Sequence, residues 1–215
     1  MESLQSQAEV RNIYLEFDRS KLKLKPLSSR VNKLSLSNIL ALESSRTVPG
    51  TFKTVAGKMA AAQKHKSSVI LMMGAHVLRS GVQRYIIDLI EKGLIQCIAM
   101  NGAGAIHDFE FALAGATTEC VESYIRNGSF GLWRETGQIN DIVNSAASKN
   151  EGLGEAIGKA ITQQRFAYRD ISVLSAAYRV GIPVTVHVGI GYDIIHEFPN
   201  CNGQAFGATS YKDFL

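Results

Sequence analysis

The sequence contains little cysteine, little proline and no long hydrophobic run. Three cysteines and four prolines occur among 215 residues. The cysteines are scattered and never form a CxxC pair, so we expect buried or free thiols rather than a disulfide framework or a zinc site. They are Cys97, Cys120 and Cys201. No segment approaches the ~20 apolar residues that span a bilayer. These absences predict a cytoplasmic protein that does not associate with membranes.

Several familiar motifs are missing as well. Residues 1–17 include three glutamates and no apolar core, which argues against a signal peptide. The chain has no Gly-x-Ser-x-Gly elbow, no P-loop and no internal repeat. We therefore do not expect a secreted protein, a serine hydrolase of that type or a P-loop nucleotidase.

The positive charge is concentrated near the amino terminus. Residues 1–66 contain twelve Lys/Arg against five Asp/Glu, whereas residues 67–215 contain eleven against fourteen. A turn signal at residues 47–50 suggests a basic arm over residues 1–50 and an α/β domain over residues 51–215. The arm could contact an acidic partner or nucleic acid, or be solvated or face another subunit. No aromatic side chains interleave with its lysines, so we favour the second interpretation and expect no nucleic-acid partner.

Three short apolar runs predict the strands of a parallel sheet. They cover residues 68–73, 95–100 and 183–188, and each is followed by glycine. Helical patterns precede, separate or connect these runs, at residues 52–66, 82–92, 105–114 and 169–180. Strands that alternate with helices indicate a parallel α/β fold, in which ligands bind at the carboxyl ends of the strands.

The loop after the second strand is the first candidate site. Asn101, Gly102, Ala103 and Gly104 lie between a strand and a helix, where glycines let the backbone approach a pyrophosphate. His107 stands where the full dinucleotide fingerprint has its third glycine, so a plain tight turn is an alternative. Two acids, Asp108 and Glu110, follow it on the first turns of the helix. They either complement the helix dipole or place a polar group over a ribose or nicotinamide.

Other polar residues follow the first and third strands. Gly74 and His76 come directly after the first, with Ser80 in the same segment. His187, Asp193 and His196 surround the loop after the third strand. Two imidazoles and a carboxylate can bind a metal, but their spacing matches no common metal motif. We therefore expect a role in a substrate pocket and no metal.

These segments, taken in order, resemble deoxyhypusine synthase. The similar stretches are residues 69–82, 85–95, 101–110 and 181–184, within a match over roughly residues 50–200. The resemblance implies a Rossmann-like fold, a homotetramer, and NAD held by Gly74, Ser80, the 101–104 loop and His107. It also implies oxidation of spermidine or a related amine and transfer of an aminobutyl group to a lysine-bearing protein. Asp193 and His196 would lie near the amine.

Two departures from that family bear on activity. Only Asp193 is available where the family has several acids, and the family's catalytic lysine segment would lie beyond Leu215. We therefore assign no catalytic residue. The sequence predicts an NAD-dependent transferase acting on a polyamine or related amine. The alternatives are a non-catalytic NAD-binding homologue that assembles with itself or a longer paralogue, and a fragment that stops before the family's sheet is complete.

Overall fold

The computed structural model describes residues 14–44 and 47–215. Residues 1–13 lie outside the described residues. The argument against a signal peptide partly rests on them. In chain order the strands are β1 (Asn32–Ser35), β2 (Ile70–Met73), β3 (Cys97–Asn101), β4 (Ala116–Glu119) and β5 (Val184–His187). The α-helices are α1 (Gly50–Lys64), α2 (Ala75–Arg79), α3 (Gln83–Glu91), α4 (Gly102–Ala114), α5 (Val121–Ile125), α6 (Gln138–Ser148), α7 (Leu153–Gln163), α8 (Val173–Val180) and α9 (Gly203–Phe214).

The three predicted strands form one parallel sheet in the order β2-β3-β5. Leu71, Ile98 and Val184 are paired in register across it. They belong to the sheet face that packs into the main hydrophobic core, together with α3, α4, α7 and α8. A parallel sheet with flanking helices is the fold class that the sequence predicts, and the structure confirms it.

The opposite face of the sheet is less covered. Ile70 and Met72 on β2 are 58% and 80% exposed. Phe52 and Val55, whose helical spacing correctly predicts α1, are also exposed rather than packed. Within the described ranges, no helix is long and apolar enough to cross a bilayer.

Side-chain caps determine where the helices around the sheet begin. α4 starts three residues before its predicted position because the Asn101 side chain accepts a hydrogen bond from Gly104 N at 3.0 Å. Ser172 caps α8 in the same way, at 2.9 Å from Ser175 N. The two helices end at Gly115 and Gly181, both of which have positive φ as the sequence suggests.

The segment that precedes α1 packs against the α/β body. β1 pairs antiparallel with β4, and Lys25 N donates to Leu132 O while Arg134 N donates to Lys25 O, both at 2.8 Å. Arg30 is 6% exposed, so a solvated role is wrong for this member of the basic segment. The division of the chain at residue 50 stays a prediction.

Candidate functional site

The carboxyl ends of the three parallel strands bring the predicted loops together. Asn101 ends β3 and is paired in register with His187, which ends β5. A Cβ atom at Gly74, directly after β2, would lie 3.8 Å from the Asn101 amide nitrogen and would meet nothing closer. The edge of the sheet therefore gathers the Gly74, 101–104 and 188–193 segments, as parallel strands require.

The two glycines at the start of α4 are needed for different reasons. A Cβ atom at Gly104 would lie 3.2 Å from Met100 Sδ and 3.3 Å from Asn101 Oδ1, so the glycine permits close packing inside the turn. A Cβ atom at Gly102 would collide with the Asp193 carboxylate. The Asp193 side chain therefore lies against the first turn of α4, where the positive end of the helix dipole favours an acid.

Asp193 and His196 hold the loop after β5. The His196 ring accepts hydrogen bonds at Nδ1 from Gly191 N and Asp193 N, both at 3.1 Å. Its Nε2 is buried and has no hydrogen-bond partner among the described residues. Burial lowers the pKa of His196 and raises that of Asp193. The predicted pair is thus brought together, with the imidazole positioning the loop that carries the carboxylate.

A cavity of about 220 Å³ opens beside the first turns of α4. The turn contributes Ala103, and the cavity also has an apolar wall. Its polar lining consists of Arg30, His107, Glu110, Thr118, Glu119, Tyr192 and Asp193. This set unites two predicted site residues, His107 and Asp193, with groups from β4 and from the segment before α1.

His107 and Glu110 belong to a buried chain of hydrogen bonds. His107 Nδ1 lies 2.7 Å from Thr117 Oγ1, which donates to Glu110 Oε2 at 2.5 Å. The guanidinium of Arg30 donates to both oxygens of Glu110 at 2.7 and 2.8 Å. Burial lowers the pKa of His107 to about 4, so the ring is neutral near pH 7.

Neither acid of α4 acts on its own helix dipole, and neither lies over the loop as a free polar group. Asp108 instead caps α8, where it accepts hydrogen bonds from the Ser172 hydroxyl and from Val173 N and Leu174 N. Glu110 pairs with Arg30. Both carboxylates point into tertiary contacts because α4 is buried on nearly all sides. Sequence spacing alone could not show this.

β4 contributes two site residues that the sequence did not suggest. Glu119 accepts hydrogen bonds from Gly131 N and from the Trp133 indole, both at 2.9 Å, and burial raises its pKa. Thr118 has a φ of 67°, unusual for a β-branched residue, and its hydroxyl is buried without a partner in the described part of the chain. The strand carries no local motif for a site, and Arg30, which completes the cavity lining, pairs with Glu110 of α4 from 80 residues away.

Two other predicted residues have local contacts. The Ser80 hydroxyl donates to Val77 O at 2.6 Å at the end of α2. His187 Nε2 lies 2.8 Å from Thr185 Oγ1. Ser80 has no hydrogen bond to the 101–104 loop among the described residues, and its cofactor role stays a prediction. No cluster of three potential metal-binding side chains occurs in residues 14–44 and 47–215.

Comparison with known proteins identifies the family. Residues 53–172 match the family described as "Arginine dihydrolase ArgZ-like, C-terminal, Rossmann fold". Unliganded AgrE superposes with a TM-score of 0.50 at 21% identity, over 79% of this chain and 22% of AgrE, which supports the fold. No curated protein sequence matches the chain.

Two further solved structures are similar at 18% identity. Apo ArgZ, an arginine dihydrolase of the ornithine–ammonia cycle in cyanobacteria, gives a TM-score of 0.46 over 78% of this chain and 22% of its own. AgrE in a ternary complex with ornithine and NAD+ gives 0.47 over 79% and 23%. The chain thus spans less than a quarter of the length of these proteins.

These findings correct the resemblance to deoxyhypusine synthase. Short apolar strands followed by glycine loops serve many dinucleotide-binding sheets, so they do not distinguish one family from another. The predictions of aminobutyl transfer and of a polyamine substrate are therefore wrong as well. The predictions of a tetramer and of a lysine-bearing acceptor rested only on that resemblance, so they no longer have support. The Rossmann-like fold is confirmed. Because the match covers more than half of its residues, the chain belongs to the family of ArgZ-like arginine dihydrolase C-terminal domains with a Rossmann fold.

Proposed function

We propose that this chain binds NAD at the carboxyl edge of the β2-β3-β5 sheet and a small amine in the neighbouring cavity. The observation that carries the proposal is the meeting of Gly74, Asn101 and the start of α4 at one sheet edge. A glycine-bearing strand end followed by a helix N-terminus suits a dinucleotide because backbone N–H groups can face its phosphates.

Each group at this edge has a different role in the proposed NAD site. Gly74 is the open point of backbone approach, and Gly102 and Ala103 form the first turn of α4. The Asn101 amide shapes that turn by capping it. The Asp193 carboxylate beside Gly102 accepts hydrogen bonds, so it suits a ribose hydroxyl or an ammonium better than a phosphate.

The charge of the cavity favours a cationic ligand. Arg30 and Glu110 neutralise each other as an ion pair, and His107 is neutral near pH 7. Glu119 and Asp193 line the same space and form no ion pair with any described residue. An ammonium group placed between them would supply the missing counter-charge and several hydrogen-bond donors.

Titration calorimetry with NAD+ and a Gly74→Asp variant tests the cofactor site. The Cβ atom of the new side chain introduces no clash, since nothing lies closer to it than 3.8 Å, and the carboxylate places a negative charge where the phosphates would approach. We expect NAD+ binding to weaken about tenfold or more. Gly74→Ala, which adds bulk without charge, is expected to weaken it less.

A Gly207→Asp variant is the matched control. Gly207 lies at an exposed position of α9, outside the 101–104 loop and the cavity lining, and a Cβ atom there meets nothing within 4 Å. This variant carries the same added charge and is expected to bind NAD+ like the parent. Equal affinities in the parent, Gly74→Asp and Gly207→Asp proteins, or no binding by a folded parent, would rule out the proposed cofactor site.

A further inference from the structure

The second imidazole nitrogen of His107 has no assigned role in the hydrogen-bond chain. Nδ1 is engaged with Thr117, whereas Nε2 has no hydrogen bond to any described residue. It is also not one of the fully buried polar atoms that lack a hydrogen-bond partner in the described chain. His107 lines the 220 Å³ cavity, so Nε2 is the nitrogen left to face it.

The partners of Thr117 determine which nitrogen of His107 carries the proton. Glu110 is paired through both oxygens with Arg30 and offers only acceptors. The Thr117 hydroxyl must therefore donate its single proton to Glu110. Its oxygen is then left to accept from His107, which places the imidazole proton on Nδ1. The neutral ring has no proton for Nε2, which becomes an acceptor.

We propose that Thr117 is a positioning residue that holds His107 as the Nδ1-protonated tautomer, so that Nε2 accepts a hydrogen bond from a ligand N–H or O–H in the cavity. This inference rests on the proposed function, because it needs a ligand there. It assigns an orienting chain from Arg30 through Glu110 and Thr117 to the imidazole. The chain joins β4 and α4 to the segment before α1.

The surroundings of His107 keep the acceptor available. Burial is the main cause of its lowered pKa, and Arg79, Arg30 and His76 act in the same direction, against Glu110. Asp193 and Glu119 face the same cavity. Nε2 is therefore unprotonated from about pH 5 upward, and it can meet a cationic donor without charge repulsion.

Nitrogen NMR of histidine-labelled protein measures the tautomer directly. In the parent, we expect the His107 Nδ1 resonance of a protonated nitrogen and the Nε2 resonance of an unprotonated one, with His107→Gln used for assignment. Thr117→Val removes the acceptor and should give a mixture of tautomers, and Thr117→Ser should restore the parent pattern. A parent ring protonated at Nε2, or a tautomer unchanged in Thr117→Val, would overturn the positioning role.

Thr136→Val separates positioning from general stability. The Thr136 hydroxyl donates to the other oxygen of Glu110 at 2.7 Å, so its loss also removes one hydrogen bond from that carboxylate. It leaves the contact between Thr117 and His107 intact. We expect Thr136→Val to keep the parent tautomer even if it lowers the melting temperature as much as Thr117→Val does.

Titration with NAD+ and ornithine, the ligands named for AgrE, tests the contact itself. We expect the Nε2 resonance to move on binding while Nδ1 changes little, and binding to Thr117→Val to weaken about five- to tenfold. Calorimetric binding without movement of Nε2 would overturn this inference and leave the proposed function standing. No calorimetric binding of either probe would defeat the proposed function and, with it, the ligand contact.

Discussion

At the residue scale, Asp108 and its neighbour His107 respond to burial in opposite ways. Burial raises the pKa of Asp108 to about 6, despite the hydrogen bonds it accepts from Ser172 and from the first turn of α8. Burial lowers the pKa of His107 to about 4. The native state therefore retains the Asp108 proton more strongly and the His107 proton less strongly than the unfolded chain does.

The two shifts have opposite effects on stability over the same pH range. The Asp108 contribution is fully present below the usual aspartate pKa and is lost as pH rises through about 6. The His107 contribution is present above the usual histidine pKa and is lost as pH falls through about 4. Between these limits the two contributions compensate. The two residues together should therefore add little to the pH dependence of the parent protein's stability.

Asp108→Asn is predicted to reveal the contribution of His107 to the pH dependence of stability. The free energy of unfolding should rise more steeply from pH 4 to 6.5 than in the parent, with a difference of the order of 2 kcal/mol across the range. At pH 7 the variant should also be less stable by about 1–3 kcal/mol, because an amide replaces a carboxylate that accepts from three donors. Urea unfolding at several pH values measures both effects, and parallel pH profiles would contradict the prediction.

At the element scale, α9 covers the free edge of the parallel sheet. The Asp213 carboxylate accepts hydrogen bonds from Val186 N at 2.8 Å and from Gly154 N at 2.9 Å. The Ser210 hydroxyl accepts from Val188 N and donates to Val186 O. These side chains satisfy backbone groups of β5 that would otherwise face a neighbouring strand, which is one way to protect an edge from pairing with other chains.

Removal of the Asp213 carboxylate should expose that edge. We expect Asp213→Ala to lower the free energy of unfolding by about 2–3 kcal/mol, because two partly buried N–H groups lose their acceptor. Hydrogen exchange at Val186 should become faster than at the paired strand β3. Lys212→Ala, at an exposed position of the same helix, should change stability by less than about 0.5 kcal/mol. Equal exchange at Val186 in the two variants would show that α9 does not protect the strand.

At the scale of the whole molecule, the segment before α1 and the α/β body share a buried ion pair. The side chains of Arg30 and Glu110 are each 2% exposed. The Arg30 guanidinium also lies 5.6 Å from the centre of the Trp133 ring. Trp133, the single tryptophan, is buried. This contact links residues around 30, 110 and 133 into one packed unit.

Arg30→Met is predicted to destabilise the whole unit by about 3–5 kcal/mol, because it leaves the Glu110 carboxylate buried without a counter-charge. Combining it with Glu110→Gln should restore much of the loss. Lys33→Met, at an exposed position of the same segment, is the matched control. Urea unfolding followed by Trp133 fluorescence and by circular dichroism should give coincident transitions in the parent. Separate transitions would mean that the segment folds independently of the body.

The sequence predicts some elements well and others poorly. The strands β2, β3 and β5 are found because a buried parallel strand is a short continuous apolar run, which needs no tertiary information to recognise. The helix after β3 is also predicted, with a later start, because the sequence alone does not show that the Asn101 side chain caps it. The sequence does not predict the pairing of β1 with β4, since both strands are short and partly polar.

The sequence by itself determined the parallel α/β class and the glycine loops at the strand ends, because apolar runs and glycines act locally. Its general motifs could not choose the family, since many dinucleotide-binding folds share them. Only the tertiary structure decided that Asp193 lies against Gly102, that Asp108 caps α8, and that Arg30 reaches Glu110. These contacts join residues separated by between 65 and 91 positions in the chain. Burial, which no local pattern measures, raises the pKa of Asp108 and of Asp193.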